Sequence, residues 1–510
     1  MQVEEAEEEE EDDSGDVEET QQEERKKQNP GTELICKVIV TNEDGLQAAD
    51  PSSIFLIDHA WTYRVQSARQ QLQEIPGLLH RMANLMGIEF HGEFPDEGVV
   101  DQVMVEMWKY NQTYQLSQGT AEEKVPVWYI MDEFGSRIQH STEPTCCTAP
   151  FFYSTEEIAY TILWPVRDLE NGDRSESCPD SNEVSVPACP TSYFHLPDEA
   201  RHAAIPELQR RRTMQLWATC RQAHIRPASL QGALMHEEVT RDYTYGETNP
   251  LIRKCRLLPW FPADMRDISS NTPEPSDAYY QTISQENKEI LPIPIEAQVY
   301  PKDKIFKVFT EMKQVLNNLN HPRFEFTWNE EEADILFMFT HIRDYRKLSK
   351  ERPHVLVNQF PCETVVTVKD CLASVARRLG GVEGAKWLPR TFNLQTELPQ
   401  FVSHYRQRQE RGEDNHWICK PWNLARGLDT HITNDLTYII RQRESTPKVV
   451  CKYIENSVLF HREEVGMVKF DIRYIVLLRS VKPLQLYAYN VFWLRFANRY
   501  LNMFCNSACH

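Results

Sequence analysis

The chain has 510 residues, of which 41% are hydrophobic and 26% charged, and its formal net charge is -21. That length suits two or three domains with ample core. No run of about 18 uncharged apolar residues occurs, which excludes a membrane-spanning helix from this reading, and the acidic start is the opposite of a secretory signal. The thirteen cysteines form no CxxC pair, and Cys146 and Cys147 are adjacent. Neither a zinc ribbon nor a disulfide framework is expected, and reduced thiols of the cytosol or nucleus are.

Residues 1–24 hold eleven Glu and three Asp with no Lys or Arg, so 14 of the 21 net negative charges lie there. Such a block repels itself and predicts a disordered arm over 1–32, ending at Asn29-Pro30-Gly31. It serves either as a solubilising tail or as an electrostatic ligand for basic surfaces. The rest of the chain is only mildly acidic, which argues against direct nucleic-acid binding.

From Glu33 the pattern becomes globular. Leu34–Val40 and Ile54–Ile57 read as strands. Val65, Ala68, Leu72, Ile75, Leu79, Met82 and Met86 recur at helical spacing, with a kink expected at Pro76. Val127–Met131 reads as a strand. Then come Arg137-Ile138-Gln139-His140-Ser141-Thr142-Glu143-Pro144-Thr145 and, a hundred residues on, Glu237-Glu238-Val239-Thr240-Arg241-Asp242-Tyr243. The first resembles the RxxNHSxxPN stretch of SET domains and the second their GEELxxDY stretch. The resemblance implies that His140, Ser141, Pro144, Asp242 and Tyr243 meet in one crossing. Gln139 and Thr145 stand where active members have asparagines that orient S-adenosylmethionine, so neither that cofactor nor methyl transfer is expected. Between the two motifs, residues 173–236 carry six prolines, three cysteines, four histidines and Arg210-Arg211-Arg212 without sustained apolar period. This is too long for an ordinary loop and predicts a disordered insertion. Ser269–Asp277 and Leu291–Pro294 read as linker, with a domain boundary near 295.

The remainder alternates strands and helices, an α/β pattern with function expected at strand ends. Predicted strands are Ile305–Phe309, Ala333–Phe339 and His354–Phe360. Predicted helices are Glu311–Leu319, Lys369–Leu379 and Asn434–Arg443, while Ser403–Asp414 reads as a charged loop or frayed helix. In His416–Ile432 a strand ends at Lys420-Pro421, because proline cannot donate to a ladder, and Arg426-Gly427 follow in a polar loop. Lys420 and Arg426 are either solvated or face one anion. Cys451–Ile454 is strand-like. In Lys469-Phe470-Asp471-Ile472-Arg473 the charged residues alternate onto one strand face; an edge ion-pair ladder and a shared polyanion both explain that. Tyr474–Leu478 is continuously apolar, and Arg495 is expected at the end of an aromatic strand Leu484–Trp493.

Together WICKP with Arg426-Gly427, CKYI, KFDIR and the WLRF around Arg495, preceded by Asn358-Gln359-Phe360-Pro361, Lys369-Asp370 and Leu388–Phe392, resemble the tubulin–tyrosine-ligase-like family of ATP-grasp ligases over about residues 296–500. The resemblance implies ATP contacts from Lys420 and Arg426-Gly427 on the phosphates, and an adenine hinge at Lys452, Tyr453 and Ile454. It puts Lys469, Asp471 and Arg473 on the ribose and phosphate side, and Lys369 and Arg495 near the γ-phosphate. The phosphate loop departs from RGxGI: it reads Arg426-Gly427-Leu428-Asp429, which is expected to bring negative charge towards phosphate. The pattern is left after Tyr500, before the EVN stretch whose Glu and Asn hold magnesium in active relatives, so no Mg²⁺ is expected. Leu494, Phe496 and Tyr500 are expected to lack packing partners.

The expectation is therefore a multidomain α/β and α+β protein. It comprises the arm 1–32, a degenerate SET-like β-rich domain 33–295 interrupted at 173–236, and an incomplete ATP-grasp ligase-like domain 296–510. The expected role is non-catalytic regulation of tubulin modification (tyrosination, detyrosination, glutamylation). The expected partners are tubulin or microtubules, and tubulin-modifying enzymes or histones; no membrane or nucleic-acid partner is expected. The expected location is the cytoplasmic microtubule cytoskeleton, including centrosome, spindle or midbody, and the nucleus. The alternatives are an ATP-dependent amino-acid ligase acting on tubulin or another protein, and a SET-type lysine methyltransferase or histone reader.

Overall fold

The computed structural model describes residues 36–40, 42, 44–92, 94–115, 120, 122–153, 158–170, 225–229, 238–284, 289–293, 299–380, 385–422, 427–481 and 483–498. The arm 1–32, Arg426, Tyr500 and most of 173–236 lie outside them. Two compact units result, one from residues 1–60 with 131–243 and the other from 61–130 with 244–510. Among the described residues no helix is long and apolar enough to cross a membrane.

The first unit is built of small sheets. Ile158–Pro165 runs between Phe55–Ile57 and Cys146–Tyr153, antiparallel to both. Buried residues alternate with half-buried ones along most of it, with Tyr160 and Thr161 both buried, as suits a central strand. Cys36–Val40 pairs antiparallel with Ile225–Ser229. The expected disordered insertion is thus corrected over those five residues: an edge strand presents unpaired donors and acceptors, and 225–229 satisfies them. Val38, Val40, Ile57, Ile138, Leu163, Leu169 and Val239 form the core.

In the second unit the helical run 65–86 is broken rather than kinked, into Ala68–Glu74 and Leu78–Met86. Pro76 has no N–H to continue the ladder, and Gly77 adopts φ 77°. Leu72, Leu79, Met82, Val100 and Val103 bury the apolar faces of these helices and of Glu97–Glu106.

Within this unit, residues 61–130 and 244–284 pack on the ligase-like part. The Trp108 ring meets Trp128 edge-on at 5.2 Å and Tyr438 at 4.4 Å. The guanidinium of buried Arg441 lies 4.8 Å from the Trp260 ring centroid, donates to Glu444 at 2.5 Å and bonds the Asn111 carbonyl. Residues 269–277 are no free linker: Arg390 donates to the Ser270 carbonyl at 3.1 Å, and Arg378 pairs with Glu274.

Beyond 300 a four-stranded parallel sheet runs in the order Phe324–Phe326, Phe306–Thr310, Ile335–Phe337, Leu356–Val357. An antiparallel sheet follows in the order Thr391–Asn393, Lys448–Lys452, Trp417–Pro421, His431–Thr433. Its back is covered by the helix Leu398–Glu410, where a loop or frayed helix was expected from 403. Leu398, Phe401, Val402 and Tyr405 give that helix an apolar stripe against Phe392 and Trp417 that outweighs its charged face. Gly466–Val481 and Leu484–Phe496 form a long ribbon on which Ile472, Tyr474, Leu477, Trp493 and Leu494 stay exposed. Arg495 is the penultimate residue of the second strand, at its end as expected, and that strand runs on to Phe496. Phe496, expected to lack partners, packs on Phe460 at 4.7 Å.

Candidate functional site

The antiparallel sheet sorts the charged side chains by parity, since paired residues share a face and neighbours along a strand do not. Opposite Trp417, Cys419 and Pro421 stand Lys452, Val450 and Lys448. Trp417 and Cys419 are fully buried, so this is the core face. Lys420 stands opposite Val449 and shares the other face with Cys451 and Thr391.

Lys369 opens the helix Lys369–Gly380, and its Nζ donates to the Pro421 carbonyl at 2.8 Å. Burial and the nearby Lys420 charge pull the Lys369 pKa down. Among the described residues no hydrogen bond or ion pair takes the Lys420 ammonium. The Lys420 ammonium, close enough to Lys369 for the two charges to repel, leaves positive charge beside a buried strand end that a polyanion would relieve. Burial raises the Cys451 thiol, with the charges of Lys420 and Lys369 acting against that rise.

Several of the other cations are engaged by neighbours. Lys452 Nζ is 2.8 Å from Asp414 and also pairs with Glu455. Its bonds and those of His416 hold the Asp414 carboxyl down to about 2 against the opposing effect of burial. Lys469 donates to the Ile454 carbonyl and sits 3.7 Å from the Tyr453 ring centroid. Burial and then the Lys452 charge bring Lys469 down to about 8. Asp471 and Arg495 form a two-pronged pair at 2.8 and 2.5 Å on the exposed ribbon, and Arg473 stands opposite Trp493. The structure thus brings Lys369 and Lys420 together, and separately Lys452, Tyr453, Ile454 and Lys469. Gly427 adopts φ 72° at the return from the loop, a conformation that favours glycine. Among the described residues no group of three or more His, Cys, Asp or Glu is placed to hold a metal ion.

The expectation for Asp429 is overturned. Its carboxylate is buried, 2.8 Å from Lys448 Nζ, and turns into the core rather than towards phosphate. A buried carboxylate requires a counter-charge, and Lys448 on the core face supplies it. Sequence reading also missed Asp414, His416 and Glu455. Acidic residues flanking a strand that ends in lysine were the available signal.

In the first unit the two SET-like stretches lie side by side. Thr240 and Arg241 pair in parallel with Gln139 and His140. The Tyr243 amide donates to His140 Nδ1 at 3.2 Å, Asp242 lies 3.7 Å from the same nitrogen, and the Tyr243 hydroxyl donates to the Ile138 carbonyl at 2.9 Å. Thr145, where an asparagine was expected, exchanges hydrogen bonds with Thr240 and the Glu238 carbonyl. Ser141 bonds locally to Glu143, which sets the turn that leads to Pro144.

Residues 26–180 and 216–264 match the Tubulin tyrosine ligase SET-like domain, and residues 347–509 match the Tubulin-tyrosine ligase family. The chain is 61% identical over 471 residues to tubulin–tyrosine ligase-like protein 12 of Homo sapiens, covering 92% of this chain and 63% of that protein. It is 31% identical over 520 residues to the protein of the same name in Caenorhabditis elegans, covering 89% and 68%. Over 151 residues it is 34% identical to a probable tubulin polyglutamylase of Homo sapiens, covering 29% and 24%. The chain spans less than two thirds of the length of its human relative.

Proposed function

Because this chain belongs to the tubulin–tyrosine ligase-like family, we propose that it regulates tubulin modification by binding, without itself forming the amide bond. The observation that carries this is how the implied nucleotide cations are divided. Lys420, whose ammonium takes no hydrogen bond or ion pair among the described residues, lies near Lys369 and is open to an anion, whereas Arg495, implied near the γ-phosphate, is neutralised by Asp471. Phosphoryl transfer calls for several cations converging on one developing charge. An implied γ-phosphate arginine already paired with a carboxylate favours holding phosphates or carboxylates over transferring them. ATP fits this site as a bound ligand through Lys369 and Lys420; it would supply polyphosphate charge for them to hold. Asp471, the one carboxylate among the implied nucleotide residues, is engaged by Arg495, and one carboxylate is a poor metal site.

The partner is tubulin by the same reading, supported by the polyglutamylase name of a relative, with a cytoplasmic, microtubule-associated location. The acidic arm gives a second route of regulation, by competing with glutamate-rich tubulin tails for basic grooves or by engaging histones in the nucleus. Amino-acid ligation remains the second reading. Methyl transfer is disfavoured because the Tyr243 hydroxyl is spent on the Ile138 carbonyl. The test is to incubate the protein with MgATP, tubulin and free tyrosine or glutamate, and in parallel to sediment it with microtubules. Co-sedimentation without tubulin-dependent ADP release is expected. Tubulin-dependent ADP release abolished by Lys420→Ala would replace this reading with ligation.

A further inference from the structure

We infer that the buried Asp429–Lys448 pair positions the two lysines of the candidate site, by clamping the end of the strand that carries Lys420. The pair is enclosed: the Asp429 and Lys448 side chains are 2% and 0% exposed. Thr446 donates to the Asp429 carboxylate at 3.2 Å, His431 Nε2 lies 3.3 Å from it, and Lys448 also donates to Gln442 at 2.6 Å. The His431 ring in turn meets the Tyr438 ring edge-on at 5.9 Å. Asp429 adopts φ 50°, which few residues other than glycine tolerate, though aspartate is among them. A residue so placed is held by what surrounds it.

The clamp reaches the site through the backbone. Lys448 stands opposite Pro421 in the ladder. The Trp422 amide donates to the Pro447 carbonyl at 3.1 Å. On the other side, Lys369 takes the Pro421 carbonyl with its ammonium and the Trp422 carbonyl with its amide, at 2.8 and 3.3 Å. Pro421 and Trp422 are therefore clasped between the Lys369 helix and the Pro447–Lys448 segment, whose side-chain anchor is Asp429. Lys420 is the residue before the clasp. The aspartate does not oppose phosphate: it lies on the opposite face and secures the lysines from behind.

This rests on the anion-binding reading above, so the experiment separates the two. Wild type, Lys420→Ala, Asp429→Asn, Lys448→Met and the double Asp429→Asn/Lys448→Met are compared by calorimetry with inorganic tripolyphosphate and by amide hydrogen exchange. Breaking a buried pair leaves one uncompensated charge, whereas removing both partners leaves none. Each single core variant, and the double variant that removes the clamp without leaving an unpaired buried charge, is expected to speed exchange at the Lys369 and Trp422 amides and to weaken tripolyphosphate binding about tenfold, whereas recovery of both in the double variant would assign the effect to unpaired charge alone and overturn the clamp. Unchanged exchange at those amides in Asp429→Asn overturns the clamp whatever the affinity does. Wild-type protein that fails to bind tripolyphosphate, or binding that ignores Lys420→Ala, overturns the anion reading, and exchange then still decides the clamp. If Lys448→Met does not fold, Asp429→Asn against the double variant carries the same comparison.

Discussion

Replacing Lys420 with alanine removes an ammonium group whose charge reaches Lys369 at the strand end. A charge-assisted hydrogen bond to phosphate contributes about 1.5–3 kcal/mol. The loss is partly offset, because burial and the Lys420 charge now hold the Lys369 pKa down, and without Lys420 that amine regains some of its basicity. The net expectation is about 1.4 kcal/mol, a tenfold weaker affinity for tripolyphosphate or ATP at neutral pH. Direction in pH gives a second handle. Lys369 is depressed below the ordinary lysine value, so wild-type binding falls off as pH rises sooner than a free lysine would dictate. In Lys420→Ala that fall-off moves to higher pH. Isothermal calorimetry without magnesium, at low salt and at several pH values, measures both. Affinity indifferent to Lys420 over the whole range would refute the placement of an anion between these lysines.

Arg441→Ala should destabilise the second unit by about 1–3 kcal/mol, since it leaves the Asn111 carbonyl without that buried donor while Glu444 keeps its pairing with Arg256; chemical denaturation measures this. His404, between the Phe392 and Trp417 rings, is lowered to about 4 by burial and then by Arg390, Arg408 and Arg411. The unfolded chain therefore takes up that proton first as pH falls below about 6.5, and stability is lost between there and pH 4. After discounting for partial exposure, His404→Gln should flatten that loss by about 1–2 kcal/mol in unfolding curves across the range. Tyr243→Phe removes a bond to the Ile138 carbonyl and should cost about 0.5–1.5 kcal/mol. It should leave methyl transfer from labelled S-adenosylmethionine undetectable, as in wild type, whereas transfer that this variant abolishes would restore a catalytic role to the tyrosine.

The sequence by itself was enough for the order of regions, the family and most strands. Val127–Met131 and the strand ending at Pro421 appear where apolar period and the missing proline donor put them. Those signals are local, carried by neighbours two to four residues apart. Four decisions were not local. Asp429 looked like a charge aimed at phosphate until Lys448, nineteen residues on, took it into the core. Lys452, read at the adenine hinge, and Arg495, read near the γ-phosphate, each gained carboxylate partners, Asp414 with Glu455 and Asp471, that the reading had not assigned to them. The helix from Leu398 was hidden by its charges and depends on the Phe392 and Trp417 rings it covers. Residues 61–130 join the ligase-like part because Trp108 and Asn111 meet Tyr438 and Arg441, more than three hundred residues away. A charge has no fixed meaning in a sequence, since its counter-ion and its burial are set by register and packing, and only the folded chain brings those partners together.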